Sequence, residues 1–248
     1  MSLKPAWLLA LLALGACGGP AEQTGEPDAG AAAELPASAA ERDALEPELV
    51  ATDAAGSPTT GRFELGQHYL RLSPTQPTSS NPDQVEVCEV FWYGCPHCYE
   101  LDPMLERWHE GAPDYVNFVR VPAVWNPTLQ IHARAFYTAE ALGKGAEMHS
   151  EFFREIHERR NGLDTEAKLQ EFFGRFNVDA ATFKSTFDSF AVQAKLQRAD
   201  ELNRRYRIAS VPTLIVNGKY TTDGPMVGSY EEMLELIAEL AVAEREGR

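Results

Sequence analysis

Basic residues are in short supply. The 248-residue chain carries 22 Lys and Arg against 37 Asp and Glu, a formal net charge of −15. That balance argues against a nucleic-acid partner, because phosphate binding calls for a basic face. Cysteine is scarcer still. Cys17, Cys88, Cys95 and Cys98 are too few for a disulfide scaffold, so the one close pair points to redox chemistry or metal binding. A zinc centre on Cys88, Cys95, His97 and Cys98 would need a second pair of ligands at recognisable spacing. The chain has no second Cys-x-x-Cys and no suitably spaced histidine pair. No internal repeat is visible, and no apolar run approaches the ~20 residues that a spanning helix requires.

The chain does hold enough apolar residues, 44%, for a sizeable core. Residues 1–17 read as a signal peptide: Lys4 precedes nine apolar residues, 6–14, and the segment ends in Leu14-Gly15-Ala16-Cys17. That ending resembles the bacterial lipoprotein signal, which implies that Cys17 is lipidated and tethers the protein to a membrane. Lipidated or plainly secretory, the signal directs the protein to the periplasm, where disulfides persist. Residues 18–61 read as an acidic linker. Within 18–60 there are nine acidic residues, one basic residue (Arg42) and few large apolar ones. Such a segment cannot bury enough surface to offset its ordering entropy and is expected to be disordered. As a flexible coil it would reach about 35–40 Å.

The folded region begins at residue 62. Val85-Glu86-Val87-Cys88-Glu89-Val90-Phe91-Trp92-Tyr93 reads as a central strand covered on both faces. Gly94 breaks it, and Pro96 suits the first turn of a helix, in which Leu101, Met104, Leu105 and Trp108 recur at helical spacing. Pro103 predicts a kink in that helix. Residues 116–121 read as another strand, and residues 127–207 as helical. Three aromatic stripes mark the helical stretch: Phe152, Phe153 and Ile156; Phe172, Phe173 and Phe176; Phe183, Phe187 and Phe190. Thr213-Leu214-Ile215-Val216 then leads through Asn217-Gly218, a hairpin signal, into Lys219-Tyr220-Thr221. Ser229 and Glu232 form a capping box for a last helix.

The tetrapeptide Cys95-Pro96-His97-Cys98 therefore lies where a strand hands over to a helix N-terminus. Backbone N–H groups and the helix dipole favour an anion there. The Cys95 thiolate should be stabilised, Cys98 lies one turn deeper, and His97 can add positive charge or a donor. A stabilised thiolate means a stabilised reduced form, and hence an oxidising disulfide.

Phe91-Trp92-Tyr93-Gly94-Cys95-Pro96-His97-Cys98-Tyr99-Glu100 and Ile208-Ala209-Ser210-Val211-Pro212-Thr213-Leu214-Ile215-Val216-Asn217-Gly218-Lys219-Tyr220 resemble the two signature runs of the DsbA family of periplasmic dithiol oxidases. The resemblance covers roughly residues 62–245. It implies an α/β thioredoxin fold with an inserted all-helical domain. The thioredoxin fold would be built from residues 62–125 and 208–248, with the insertion at 126–207 between them. It implies that Cys95 is the nucleophile and Cys98 the resolving cysteine. Pro212 should follow a cis peptide bond and face the cysteines, with Pro96, Val211 and Pro212 touching substrate. Glu89 matches an acid beneath the site that shuttles protons near Cys98. Phe118 falls where some members carry that acid's basic partner, so a carboxylate–lysine relay is not expected. The implied partners are exported polypeptides with cysteines and a quinone-linked DsbB-type membrane reoxidant. No cofactor or metal is implied, and the chain should be a monomer.

Other readings of the same residues differ in direction or class. A reductase or isomerase would share the fold, although residues 18–60 look too polar for the dimerisation domain an isomerase carries. A tethered peptide-binding holdase would not need the cysteine pair. Cys88 stands about 13 Å along the strand from Trp92 at ~3.3 Å per residue, too far back to pair with Cys95, and is expected to be a buried inert thiol. His132 reads as a helix-packing residue, whereas His68, His109, His149 and His157 show no constellation.

Overall fold

The structure, a computed structural model, describes residues 47–52 and 61–247. The proposed signal peptide, Cys17 and most of the proposed linker lie outside the described residues. Six strands form one sheet: β1 (Glu48–Val50), β2 (Leu70–Ser73), β3 (Val85–Phe91), β4 (Val116–Pro122), β5 (Thr213–Val216) and β6 (Tyr220–Asp223). Their order is β1-β2-β6-β5-β3-β4. β3 runs parallel to β4 and antiparallel to β5, and the other pairings are antiparallel. The parallel step requires a crossover, which α1 (Pro96–Glu110) supplies.

Between β4 and β5 the chain makes only helices: α2 (Pro127–Ala141), α3 (Gly145–His157), α4 (Glu166–Gly174), α5 (Ala180–Phe187) and α6 (Phe190–Arg205). Their starts follow from capping. Asn126, Thr165, Asp179 and Ser189 each accept an orphan N–H from the first turn of α2, α4, α5 and α6. The last helix, α7 (Tyr230–Glu246), is capped by Ser229, while the Glu232 carboxylate reaches back to the Gly228 N–H. α1 continues through Pro103 as one helix.

Every residue of β3 is buried, as its continuous apolar run led to expect. Its two faces serve different layers. Val85 and Val87 pack with Leu101 and Leu105 of α1 and with Met233, Leu236, Ile237 and Leu240 of α7. Cys88 and Val90 pack with Leu129, Ala133 and Ala199 of α2 and α6. A third cluster joins Phe91, Tyr93, Cys95 and Cys98 to Phe152, Phe153, Phe172, Phe173, Phe183 and Phe187 of the helical insertion. The aromatic stripes are therefore core, each fully buried ring contributing about 1.5–3 kcal/mol. Phe190 departs from its stripe and stands 86% exposed at the first turn of α6.

The linker expectation needs one correction. Glu48, Leu49 and Val50, inside residues 18–61, pair with Ser73, Leu72 and Arg71 as an edge strand. Composition missed them because an edge strand is held by backbone hydrogen bonds on one side and does not need two apolar faces. The β5–β6 turn is as expected, with Asn217 and Gly218 both at positive φ, 54° and 63°. A Cβ on Gly218 would meet the Gln76 carbonyl oxygen at 2.1 Å, so glycine is required there.

Candidate active site

β3 ends at Phe91, and Trp92-Tyr93-Gly94 turns the chain into α1. The turn is tight enough that a Cβ on Gly94 would sit 2.3 Å from the Trp92 ring. Cys95 occupies the N-cap position of α1 with extended backbone, and Pro96 follows at the first helical position. At α2, α4, α5, α6 and α7 a side-chain oxygen fills that cap. At α1 a sulfur stands in its place.

Cys95 and Cys98 are both free thiols, 7% and 0% exposed. Their acidities are pushed apart. The Cys95 thiol is lowered to about 6, first by the hydrogen bond from Cys98, then by the N–H groups of Cys98 and His97 and the His97 charge, against the cost of burial. Cys98 is driven far above the ordinary thiol range, mainly by burial and then by Cys95 and the Glu89 charge. One sulfur is thus an anion near neutral pH and the other is held as a thiol.

The β5 hairpin brings in the other half of the site. The Val211–Pro212 peptide is cis, as the resemblance implied. Cys95 Sγ lies 3.4 Å from the Val211 carbonyl oxygen, close enough to donate to it when protonated. Two contacts hold this loop: Ser210 Oγ donates to Asp223 at 2.9 Å, and Thr213 Oγ1 donates to the Ser210 carbonyl at 2.8 Å. His97, with a side chain 71% exposed, has Nδ1 3.1 Å from the Tyr230 hydroxyl and 3.6 Å from the Glu100 carboxylate.

Glu89 lies beneath the site, 1% exposed. Burial lifts its carboxyl to about 7, with Arg120 opposing the shift and Asp102 adding to it. Arg120 is the basic partner that the sequence pattern did not reveal. Its Nε donates to Glu89 at 3.1 Å, and its Nη2 reaches Asp102 at 3.4 Å and Glu106 at 2.6 Å. The Phe118 position itself carries no base, and Arg120 reaches Glu89 from two residues further along β4. Glu89 stands opposite Arg120 in the parallel register, and Phe118 stands opposite Val87. Residues two apart share a face of a strand, so Phe118 and Arg120 lie on the same face of β4. Phe118 still serves the site, because the Arg120 guanidinium lies over its ring at 4.7 Å.

Three histidines are wired to this region: His149 and His157, which showed no constellation in sequence, and His132, which read as a helix-packing residue. His149 Nε2 is 3.0 Å from Asp102 Oδ1, and its Nδ1 is 2.9 Å from the Tyr93 hydroxyl. His157 donates from Nε2 to the Tyr93 carbonyl at 2.8 Å and stacks on Tyr99 at 4.7 Å. His132 accepts from the Trp92 indole N–H at 2.9 Å and donates to the Gly162 carbonyl at 2.9 Å. His149 had one sequence signal: it lies three residues before Phe152 on the apolar stripe of α3, and a polar group buried on such a stripe needs a partner. Asp102, Glu106 and His149 offer ligand atoms within 4.8 Å of one another, and the cation they face is the Arg120 guanidinium. Cys88 lies on the opposite face of β3 from Glu89, in the layer of α2 and α6, with a thiol raised by burial.

Comparison with known proteins agrees with this geometry. The family model described as a DSBA-like thioredoxin domain matches residues 86–235. The thiol:disulfide interchange protein DsbA of Pseudomonas aeruginosa is 38% identical over 183 residues, 74% of this chain and 86% of that protein. The protein of the same name from Azotobacter vinelandii is 36% identical over 74% of this chain and 85% of its own length. The crystal structure of Pseudomonas aeruginosa DsbA matches with a TM-score of 0.70 over 73% of this chain and 94% of that one. The fold is an α/β thioredoxin fold with an inserted helical subdomain.

Proposed function

Because the chain belongs to the DsbA-like thioredoxin domain family and is a thiol–disulfide oxidoreductase, we propose that it acts as a dithiol oxidase, passing a Cys95–Cys98 disulfide to cysteine pairs of exported polypeptides. In the first step a substrate thiolate attacks Cys95 Sγ, the Cys95–Cys98 bond breaks, and its electron pair leaves on Cys98. Glu89 is the nearby acid suited to protonate that sulfur. In the second step another substrate thiolate attacks the substrate sulfur of the mixed disulfide, and Cys95 leaves as a thiolate. The substrate is oxidised by two electrons and the enzyme is reduced by two.

The observation that carries this direction is the split between the two sulfurs. Cys95 is lowered to about 6 while Cys98 is raised, so the reduced state keeps a stable thiolate at the helix N-terminus. Val211, beside Cys95 with its backbone, together with Pro96 and Pro212, offers the place for bound peptide. Reoxidation would come from a quinone-linked membrane protein of the DsbB type. The location is periplasmic, with attachment through a lipidated Cys17 included in the proposal.

Equilibration with glutathione tests the reading. A dithiol oxidase stays reduced under mildly reducing glutathione ratios. A pair that becomes fully oxidised there would transfer the assignment to a reductase.

A further inference from the structure

His149 is set deep in the molecule, ringed by Phe91, Phe136 and Phe153. The charged or titratable groups that face it come from three directions. Tyr93 follows β3, Asp102 and Glu106 stand on α1, and Arg120 stands on β4. Burial depresses its basicity and favours a neutral ring. A neutral ring satisfies both contacts in one tautomer: Nε2–H donates to Asp102 Oδ1, and Nδ1 accepts from the Tyr93 O–H. The result is an unbroken hydrogen-bonded chain from Tyr93, two residues before Cys95, through His149, Asp102 and Arg120 to Glu89. The contact from Arg120 to Asp102 is long, 3.4 Å, whereas that from His149 is 3.0 Å. The histidine is therefore the closer donor to this buried carboxylate.

We propose that His149 is a positioning residue for the proton transfer at Cys98: it holds the Asp102 carboxylate in place facing Arg120, and so sets the charge that Glu89 faces when it protonates the departing sulfur. This rests on the dithiol oxidase reading. Breaking the Cys95–Cys98 bond puts an electron pair on Cys98 Sγ. The Glu89 carboxyl gives its proton to that sulfur and becomes a carboxylate, which recovers a proton from water before the next cycle. Glu89 serves as this acid only while it stays protonated near neutral pH. The Asp102 charge favours that state and the Arg120 charge opposes it. Without its donor at His149, the Asp102 carboxylate keeps only the long contact to Arg120 and is free to turn away from Glu89. The charge facing Glu89 then recedes, and Glu89 ionises at lower pH.

The test follows the Glu89 carboxyl directly, by infrared titration of its C=O band in the full chain, identified by its absence in Glu89→Gln. The second-order rate of peptide oxidation is followed over the same pH range. In His149→Leu the Glu89 midpoint is expected to fall by about one unit, with the alkaline limb of the rate profile moving alike. His149→Gln, which offers both an N–H donor and an acceptor oxygen, should restore both. Asp102→Asn should reproduce the fall without touching the histidine. Should His149→Leu not fold, His149→Asn carries the same test, since its shorter side chain cannot span both partners. An unchanged midpoint in the His149 variants, or a rise as Arg120 swings from Glu89 toward Asp102, overturns the inference while leaving the oxidase reading intact. Failure of the wild-type chain to oxidise peptide would instead sink the reading on which it rests.

Discussion

The Cys95 thiol lies 3.4 Å from the carbonyl oxygen of Val211, a residue 116 positions further along the chain. The contact joins a helix start to a hairpin loop, and the whole helical insertion separates them in sequence. A peptide sulfur bonded to Cys95 would lie beside the Val211 backbone, so recognition can rest on main-chain groups that every polypeptide has. Specificity would then come from what surrounds the loop.

The Cys95 thiolate should be visible as an absorbance that titrates near pH 6 in the reduced protein. Its acidity is strengthened, so the stabilisation it gives the reduced form is present above the ordinary thiol range and disappears as pH falls through about 6. The reduced form should therefore gain on the oxidised form as pH rises from about 6 to about 9. Replacing His97 with Ser removes a charge that favours the thiolate and should move the midpoint upward. A wild-type midpoint near that of free cysteine would show that the helix N-terminus does not activate this sulfur.

Glu89 works in the opposite sense. Its acidity is weakened to about 7 by burial, so folding favours its protonated form. That contribution is complete below the ordinary carboxylate range and is lost as pH rises to about 7. Denaturant unfolding of oxidised wild type and Glu89→Gln across pH 4–9 isolates it. The difference between the two should change by on the order of 3 kcal/mol, with wild type losing ground between about pH 4.5 and 7. A flat difference would mean that Arg120 already holds Glu89 ionised.

Arg120→Met should leave Glu89, Asp102 and Glu106 facing one another without their cation. Removing one partner from a buried charge group costs about 3–5 kcal/mol. The variant should melt well below wild type, and its Glu89 midpoint should rise above 7 because the opposing charge is gone. Near-normal stability would mean that the carboxylates share protons instead of repelling.

The pairing of Glu89 with Arg120 also shows what the sequence could convey. Local pattern located β3, the turn at Gly94, the helix start at Pro96 and the Asn217-Gly218 hairpin, because each depends on neighbours in the chain. The cysteine pair and the cis-proline loop were legible as motifs. Arg120 was not, since its place opposite Glu89 follows from the parallel register of β3 and β4, which neither strand's own pattern sets. His149 and His157 were hidden for another reason: their partners at Asp102 and Tyr93 are 47 and 64 residues away. Only the packing of α3 against the site brings them together. The edge strand at Glu48–Val50 was missed because backbone pairing leaves little trace in composition.

His157 gives the last prediction. Its Nε2–H bond to the Tyr93 carbonyl and its stack on Tyr99 fasten α3 to the turn that carries Gly94 and Cys95. His157→Leu should remove the donor while keeping some of the apolar contact, at a cost of about 1–2 kcal/mol in stability. The larger effect should be local. Hydrogen exchange at Gly94 and Cys95 should speed up relative to the β3 core, and peptide oxidation should slow, because a looser turn points the N–H groups of His97 and Cys98 less well at Cys95 Sγ. His157→Gln can donate to the same carbonyl and should recover most of the protection. If exchange at the turn matches wild type in the Leu variant, the Trp92–His132 bond and the aromatic cluster already hold this turn, and His157 contributes only packing.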